Sequence, residues 1–276
     1  MGKSKKRAVI PGYKVSMGVT ITFLSLIVLI PLASLAINAS GMGFNKFIST
    51  VTNPRVIAAY KVSFLCAFIA TIVNSFFGVI IAWTLVRYDF KGKRIIDGLI
   101  ELPFALPTAV AGIALTTLYS DKGMIGKYFD AIGIKISYTR VGIIAAMIFI
   151  GIPFVVRSIQ PVLEGIDKQY EEAATMLGAS RVRIFFKVIF PEILPALLTG
   201  FGLAFARAVG EYGSVVFISG NMPFKTEIAP LLIMSKLEQY DYTGANAIAL
   251  VMLVISFLIL FLINSIQVYT NKFVKE

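Results

Sequence analysis

The chain has 276 residues, of which 57% are hydrophobic and only 15% are charged. A soluble domain carries about 25% charged residues, so this composition indicates a membrane protein. The net charge of +11 does not indicate nucleic-acid binding, because most basic residues lie in short segments between long apolar runs, where they set membrane orientation. The sequence has no histidine, and its one cysteine, Cys66, lies in an apolar run. This excludes histidine-based catalysis, histidine metal ligands and a disulfide framework.

Six apolar segments are long enough to cross a bilayer as helices, since about 20 residues span the ~30 Å of hydrocarbon. The segments do not alternate between apolar and polar residues in the way that a membrane β-barrel requires. We therefore predict an all-α polytopic membrane protein with six transmembrane helices in one domain, residues 1–276. The predicted spans are residues 15–37, 58–86, 99–119, 141–160, 194–219 and 245–267.

The first segment follows a basic stretch at residues 3–7, an arrangement that a cleaved signal peptide shares. Its 23 residues exceed the ~7–15 of a signal peptide's apolar region, which favours a retained helix, although residues 36–39 offer a weak cleavage pattern. Sixteen Lys and Arg residues fall on one side of the predicted topology and nine on the other. By the positive-inside rule, this imbalance places both termini in the cytoplasm.

The third segment contains two prolines, Pro103 and Pro107. Each proline removes a backbone hydrogen bond, so we predict a kink in this span. Neighbouring helices or a cavity must then satisfy the freed carbonyls. Glu101 begins the segment, and an interfacial position accounts for it without a special role.

The longest predicted cytoplasmic loop, residues 161–193, carries two short amphipathic helices. We expect Gly178 to end the first helix, Ser180 to cap the second, and Pro191 to stop the second before the fifth span. The apolar positions are Tyr170, Ala173, Ala174 and Leu177 in the first helix and Val182, Phe185, Phe186 and Ile189 in the second. These apolar faces would cover the lipid interface, the underside of the helix bundle or a partner protein.

The same loop carries a spaced motif: Glu172-Ala173-Ala174, three residues, Gly178, nine residues, then Val-Ile-Phe-Pro at residues 188–191. It resembles the EAA motif of binding-protein-dependent ABC import permeases, which is EAA, three residues, Gly, nine residues, Ile-x-Leu-Pro. Val188 and Phe190 are conservative departures from that pattern. The resemblance implies that residues 161–193, here called the EAA loop, form a coupling helix that docks on an ATP-binding subunit. The coupling positions would be Glu172, Ala173, Ala174, Leu177, Gly178 and Pro191.

The fifth segment contains a charged pair, Arg207 and Glu211, whose spacing of four residues puts both on one helix face. A charge in hydrocarbon costs at least ~2.5–3.5 kcal/mol, so the pair should face the bundle interior. It would serve either the translocation route or a gate, or else a structural lock between helices. On the same helix, Gly202, Ala206 and Gly210 recur at every fourth position and predict close helix packing, often between subunits.

Four further stretches are similar to the T subunits of sulfate/thiosulfate permeases, namely residues 102–112, 207–221, 225–230 and 237–242. The resemblance implies a multi-pass protein of the bacterial cytoplasmic membrane that lies in the lipid bilayer. It also implies three kinds of partner: a homologous W-type permease subunit, two ATP-binding subunits, and an extracytoplasmic sulfate-binding protein. A molybdate or tungstate importer permease is the nearest alternative, since such permeases share the pattern around Glu211.

The sequence contains no G-x-x-x-x-G-K-[ST] motif, so nothing in it predicts nucleotide binding. We therefore expect a transport subunit and not an enzyme, with no catalytic residue, no metal site and no cofactor of its own. ATP and Mg would be bound by the partner ATPase. An ATP-independent secondary transporter is the alternative of a different class, and an intramembrane hydrolase lacks the histidine that usually activates a serine nucleophile.

Overall fold

The computed structural model describes residues 12–274, and side chains through residue 270. The basic residues at 3–7, Lys275 and the side chain of Lys272, which entered the orientation prediction, lie outside this described part. Every regular element within it is a helix, which confirms the all-α prediction. Helices α1 to α12 cover Tyr13–Ser40, Phe44–Val51, Pro54–Arg87, Lys93–Ala105, Thr108–Tyr119, Gly126–Asp130, Arg140–Gly165, Lys168–Met176, Arg181–Val209, Val215–Ile218, Ala229–Glu238 and Tyr242–Val274.

Five of these helices, α1, α3, α7, α9 and α12, are each long and apolar enough to cross a membrane. The pair α4 and α5 passes the same test when the two are taken together. The prediction of a polytopic membrane protein is therefore confirmed. The helices run beyond several predicted spans; α3, for example, has 34 residues, because a helix can continue past the hydrocarbon into the polar interface.

The predicted third span, residues 99–119, is not one continuous helix, and the kink predicted from its prolines is a sharp break. Helix α4 begins earlier, at Lys93, and the chain bends by 114° before α5. The bend falls at Leu106 and Pro107, both of which have extended backbones, because a residue before proline avoids the helical region. Pro103 lies within α4 without ending it.

The bent pair nevertheless crosses the bundle from one end to the other. Helix α4 begins beside the C-terminal part of α7, where Asp97 pairs with Arg157. Helix α5 ends beside the start of α7, where the hydroxyl of Ser137 donates to the carbonyl of Thr116 at 3.2 Å. Since α7 connects these two places, α4 and α5 together form one broken crossing.

The fifth predicted span, residues 194–219, is also wrong in its bounds. Helix α9 begins at Arg181, passes through Pro191 and ends at Val209. Pro191 therefore does not stop the helix. A π-helical turn at Phe185–Ile189 precedes it, and this change in hydrogen-bond spacing accommodates a residue that has no backbone N–H. The chain then turns through residues 210–214 before the one-turn helix α10.

Helices α3, α7 and α9 pack against one another at the centre of the bundle. Helix α12 packs on the outside of α9, and the second half of α1 packs on α12. We call the end of the bundle that carries the EAA loop the EAA end, and the opposite end the far end. One apolar core lies toward each end, with Phe205, Met147 and Ile248 toward the far end, and Ile159, Leu163 and Ile189 toward the EAA end.

The far end is held together by one ion pair and by hydrogen bonds to the segment before α11. Arg55 donates two hydrogen bonds to Glu227, at 2.8 and 2.7 Å, and the Glu227 side chain is 1% exposed. Arg140 at the start of α7 donates from Nε to the carbonyl of Lys225 at 2.7 Å. These contacts place the starts of α3 and α7 side by side.

Candidate functional site

The EAA loop is shorter than its predicted bounds of 161–193, because α7 continues to Gly165 and α9 begins at Arg181. Helix α8 lies between them. Asp167 caps α8 by accepting a hydrogen bond from the Gln169 backbone N–H at 3.0 Å. Gly178 follows the helix with φ +78°, a conformation that glycine adopts without steric cost.

The predicted apolar face of α8 points away from the bundle. Leu177 is 89% exposed and Tyr170 is 65% exposed. Glu172 and Ala173 are also exposed, and only Ala174 packs on the core at the EAA end. The bundle itself therefore does not cover this face, which leaves lipid or a partner protein to do so.

The prediction of the apolar face of the second short helix is partly wrong. Ser180 caps α9 as predicted, accepting from the Arg183 backbone N–H at 3.4 Å. Val182 and Phe186 are exposed, however, whereas Ile184 and Ile189 are buried. The π-helical turn explains the difference, because it places residues five apart, and not four, on the buried face.

A charged cavity of about 380 Å³ separates α8 from the end of α3. Its charged lining residues are Arg87, Lys168, Glu171, Glu172 and Arg181. Within it, Arg87 Nη2 lies 2.6 Å from Glu171 Oε1, and the Arg87 side chain is only 10% exposed. Sequence reasoning missed this pair, since the two residues come from separate segments and only their opposite charges near the same predicted membrane face signal it.

Arg207 and Glu211 form an ion pair, with Nη1 of Arg207 2.5 Å from Oε2 of Glu211. Glu211 does not lie on the helix, because α9 ends at Val209. Its second oxygen, Oε1, accepts from the backbone N–H and the hydroxyl of Ser214, at 2.8 and 2.9 Å. Glu211 thus holds the turn between α9 and α10. Its side chain is 1% exposed, whereas that of Arg207 is 32% exposed.

The chain interrupts its helices at residues 106–107, between α4 and α5, and at residues 210–214, between α9 and α10. These two helix breaks lie against each other. A Cβ added to Gly112 of α5 would lie 2.6 Å from the Ser214 carbonyl oxygen, and one added to Gly213 would lie 2.1 Å from Thr108 Oγ1. Glycine is required at both positions for this close approach. The turn that Glu211 holds therefore rests directly on the first turns of α5.

The small residues of α9 line an open apolar groove between α9 and α12. Gly202 and Ala206 line a part of about 420 Å³, and Ala206 and Gly210 line an adjoining part of about 290 Å³. A Cβ added to Gly202 would lie 3.5 Å from the Ile263 side chain of α12. The predicted packing of this stripe against another subunit stays a prediction.

Arg157 lies inside α7, near the EAA end of the predicted span 141–160. It pairs with Asp97 at 2.7 Å and with Glu101 at 2.8 Å, both on α4. Glu101 therefore has a partner and helps to tie the broken crossing to α7. In the described part of the chain, no three His, Cys, Asp or Glu side chains lie close enough together to hold a metal ion.

Comparisons with known proteins agree with this architecture. Residues 74–276 match the family described as binding-protein-dependent transport system inner membrane component. The chain is 54% identical over 256 residues to a probable sulfate transport system permease protein cysT of Chlorokybus atmophyticus, covering 93% of this chain and 90% of that one. It is 49% identical over 261 residues to the sulfate transport system permease protein CysT of Salmonella typhimurium, covering 95% and 94%.

Solved structures show the same fold at low sequence identity. A chain of a bacterial ABC transporter that imports the acidic polysaccharide alginate superimposes with a TM-score of 0.76 at 15% identity, covering 93% of this chain and 95% of that chain. A chain of the MetNI methionine ABC transporter gives a TM-score of 0.54 at 18% identity, covering 79% and 99%. By its sequence and its fold, this chain belongs to the binding-protein-dependent transport system inner membrane component family, among the CysT permease proteins.

Proposed function

We propose that this chain is the permease subunit of an ATP-driven importer and forms half of the transmembrane pathway for sulfate and thiosulfate. One observation carries the proposal: identity of 54% and 49% to permease proteins named for sulfate transport, over at least 90% of every chain compared. These relatives favour sulfate over molybdate or tungstate. The fold favours an ABC importer over an ATP-independent secondary transporter.

In this proposal the EAA end faces the cytoplasm of a bacterium, with both termini on that side, and α8 is the coupling helix. Two ATP-binding subunits dock at this end and bind the ATP and Mg, so the chain itself needs no cofactor. The exposed apolar side chains of Tyr170 and Leu177 supply the contact, and the small Ala173 allows close approach of the partner. A homologous W-type permease completes the pathway, and a sulfate-binding protein delivers the anion at the far end.

ATP binding closes the paired ATPases and moves α8 as a lever, which turns the pathway from inward-facing to outward-facing; hydrolysis resets it. Arg207 and Glu211 then act in the pathway at the point where the two helix breaks touch. The pair carries no net charge, so it does not hold a free anion by attraction alone. Its role in this proposal is to hold the turn of residues 210–214 against α5 as a gate.

The substrate is tested by uptake of labelled sulfate into cells with and without this chain, with thiosulfate or molybdate in excess. We expect uptake to fall when the chain is removed, and thiosulfate but not molybdate to compete. Competition by molybdate and not by thiosulfate would instead support the alternative, a molybdate or tungstate importer. Uptake that continues after ATP is depleted, with no ATPase copurifying, would favour the secondary transporter.

The coupling role is tested with Glu172→Lys and Gly178→Asp. Both substitutions should abolish transport and ATPase docking but leave membrane insertion intact, because they change the exposed surface of the EAA loop. Gly133→Asp is the matched control, since Gly133 has the same φ of +78° and the same open surroundings as Gly178. Normal transport by both loop variants, with the ATPases still bound, would overturn the coupling assignment.

A further inference from the structure

Arg87 stands apart from the other cations that form ion pairs. It is the last residue of α3, and its side chain is 10% exposed, whereas the paired cations elsewhere in residues 12–270 are 28% to 64% exposed. Its contact with Glu171 is an ion pair in which Glu171 Oε1 accepts no hydrogen bond. Nη2 donates to the carbonyl of Ile166 at 3.5 Å, and the guanidinium lies 5.6 Å from the centre of the Trp83 ring. These contacts fix the charge in one place.

The Arg87–Glu171 pair joins α8 to a membrane-spanning helix other than its neighbours in the chain. Among the ion pairs of the described side chains, no other has a member on α8. Helix α8 packs mainly on the first turn of α9, and a cavity of about 380 Å³ lies between it and α3. The connection to α3 therefore depends on one ion pair and not on a packed apolar interface.

Helix α3 is one of the three helices at the centre of the bundle, so a connection from α8 to α3 reaches the bundle centre. It packs along both α7 and α9, which form the rest of the bundle centre. Helix α8 already reaches α9 through the chain, across Gly178 and Ser180. The ion pair gives it a second point of attachment, directly on a helix that it otherwise reaches only through the packing of α7 and α9.

We propose that the Arg87–Glu171 ion pair transmits the movement of α8 to α3, so that one displacement of the coupling helix shifts α3 and α9 together. This inference rests on the proposed function, because it needs an ATPase that moves α8. Arg87 is a positioning residue in this scheme and touches neither substrate nor nucleotide. A partly desolvated pair suits the task, since its attraction exceeds that of an exposed pair and holds the two helices in register.

The test uses the assembled importer, with its partner permease, ATPases and binding protein, reconstituted in liposomes. Labelled sulfate accumulated and ATP hydrolysed are measured together, and ATPase retention is measured by copurification. The variants are Glu171→Gln, Arg87→Gln and the double substitution. Asp89→Asn is the control, because it removes an exposed ion pair two residues from Arg87, in which Asp89 is fully exposed.

We expect Glu171→Gln to retain the ATPases but to lower sulfate imported per ATP about fivefold or more, the range of a typical coupling energy. Arg87→Gln should do the same, the double variant should be no worse than either single one, and Asp89→Asn should match the wild type. Glu171→Gln keeps the test valid if Arg87→Gln fails to fold, since Arg87 stays favourably placed at the C-terminus of α3.

Unchanged sulfate per ATP in Glu171→Gln would overturn the inference, and so would losses that multiply in the double variant. Release of the ATPases from Glu171→Gln would overturn it as well, because Glu171 would then serve docking. A wild-type complex that hydrolyses ATP without accumulating sulfate would instead refute the proposed function.

Discussion

The contact between the two helix breaks can be tested by a single methyl group. In Gly112→Ala the new Cβ meets backbone atoms, at 2.6 Å from the Ser214 carbonyl oxygen, 2.7 Å from its Cα and 3.0 Å from its carbonyl carbon. Ordinary contact begins at 3.4 Å, so α5 and the turn must separate by roughly 0.8 Å. No side chain can rotate away to relieve the clash, because the opposing atoms belong to the backbone.

Overpacking of this kind costs about 1–3 kcal/mol, and the higher helix propensity of alanine offsets at most ~1 kcal/mol of it. Gly98→Ala is the matched control, since Gly98 lies in α4 of the same broken crossing with no atom within 4 Å of the new Cβ. We expect Gly112→Ala to lower both the thermal midpoint of the purified complex and sulfate uptake. Gly98→Ala should leave uptake unchanged and keep or raise the midpoint, because alanine has the higher helix propensity. Equal stability and uptake in the two variants would refute the close contact of the two breaks.

Two further predictions concern charged side chains. Arg207→Ala should destabilise the purified protein by about 3 kcal/mol, because it leaves the buried carboxylate of Glu211 uncompensated, whereas Glu211→Gln should cost less than half as much, since the one-third exposed Arg207 can bind water. Equal losses of thermal stability would contradict this asymmetry. At the far end, the hydrogen bond from Lys236 lowers the pKa of Asp241 below its ordinary value. Since the folded state has the lower pKa, this contribution to stability is present above the ordinary pKa and is lost as the pH falls below roughly 4. Thermal unfolding of the wild type and of Asp241→Asn across that range should therefore converge at acid pH.

Local signals were sufficient for much of the fold. Apolar runs locate the membrane-spanning helices, and the start of α9 follows from Ser180, whose side chain has a backbone donor three residues away. Gly178 ends its segment with φ +78°, as its place after an amphipathic stretch predicts. Arg207 and Glu211 meet as predicted, although Glu211 lies in the turn after α9 and not on its helical face. Each of these features is decided within one or two helical turns of sequence.

Features that depend on distant contacts were not predictable. The prolines in the third segment predict a kink, but the 114° angle depends on how α5 packs against α10 and α7. Pro191 reads as a helix stop, and only the preceding π-helical turn carries the helix through it. The pair of Arg87 and Glu171 joins residues 84 positions apart, and no local rule selects that partner from the other charges at the EAA end.

The broken crossing of α4 and α5 also decides whether the chain crosses the membrane an even or an odd number of times. If the 114° bend returned the chain to the side from which α4 starts, there would be five crossings. The start of α1 and the end of α12 would then lie on opposite sides of the membrane. Because the pair runs from the EAA end to the far end, we expect six. The second half of α1 packs on α12, and Ala39 and Leu250 line one cavity between them. The Tyr60 hydroxyl donates to the Ile248 carbonyl, which places the start of α12 beside the start of α3 at the far end. Reporter enzymes fused before Tyr13 and after Val274 should therefore be active in the same compartment. An odd number of crossings would place them in different compartments.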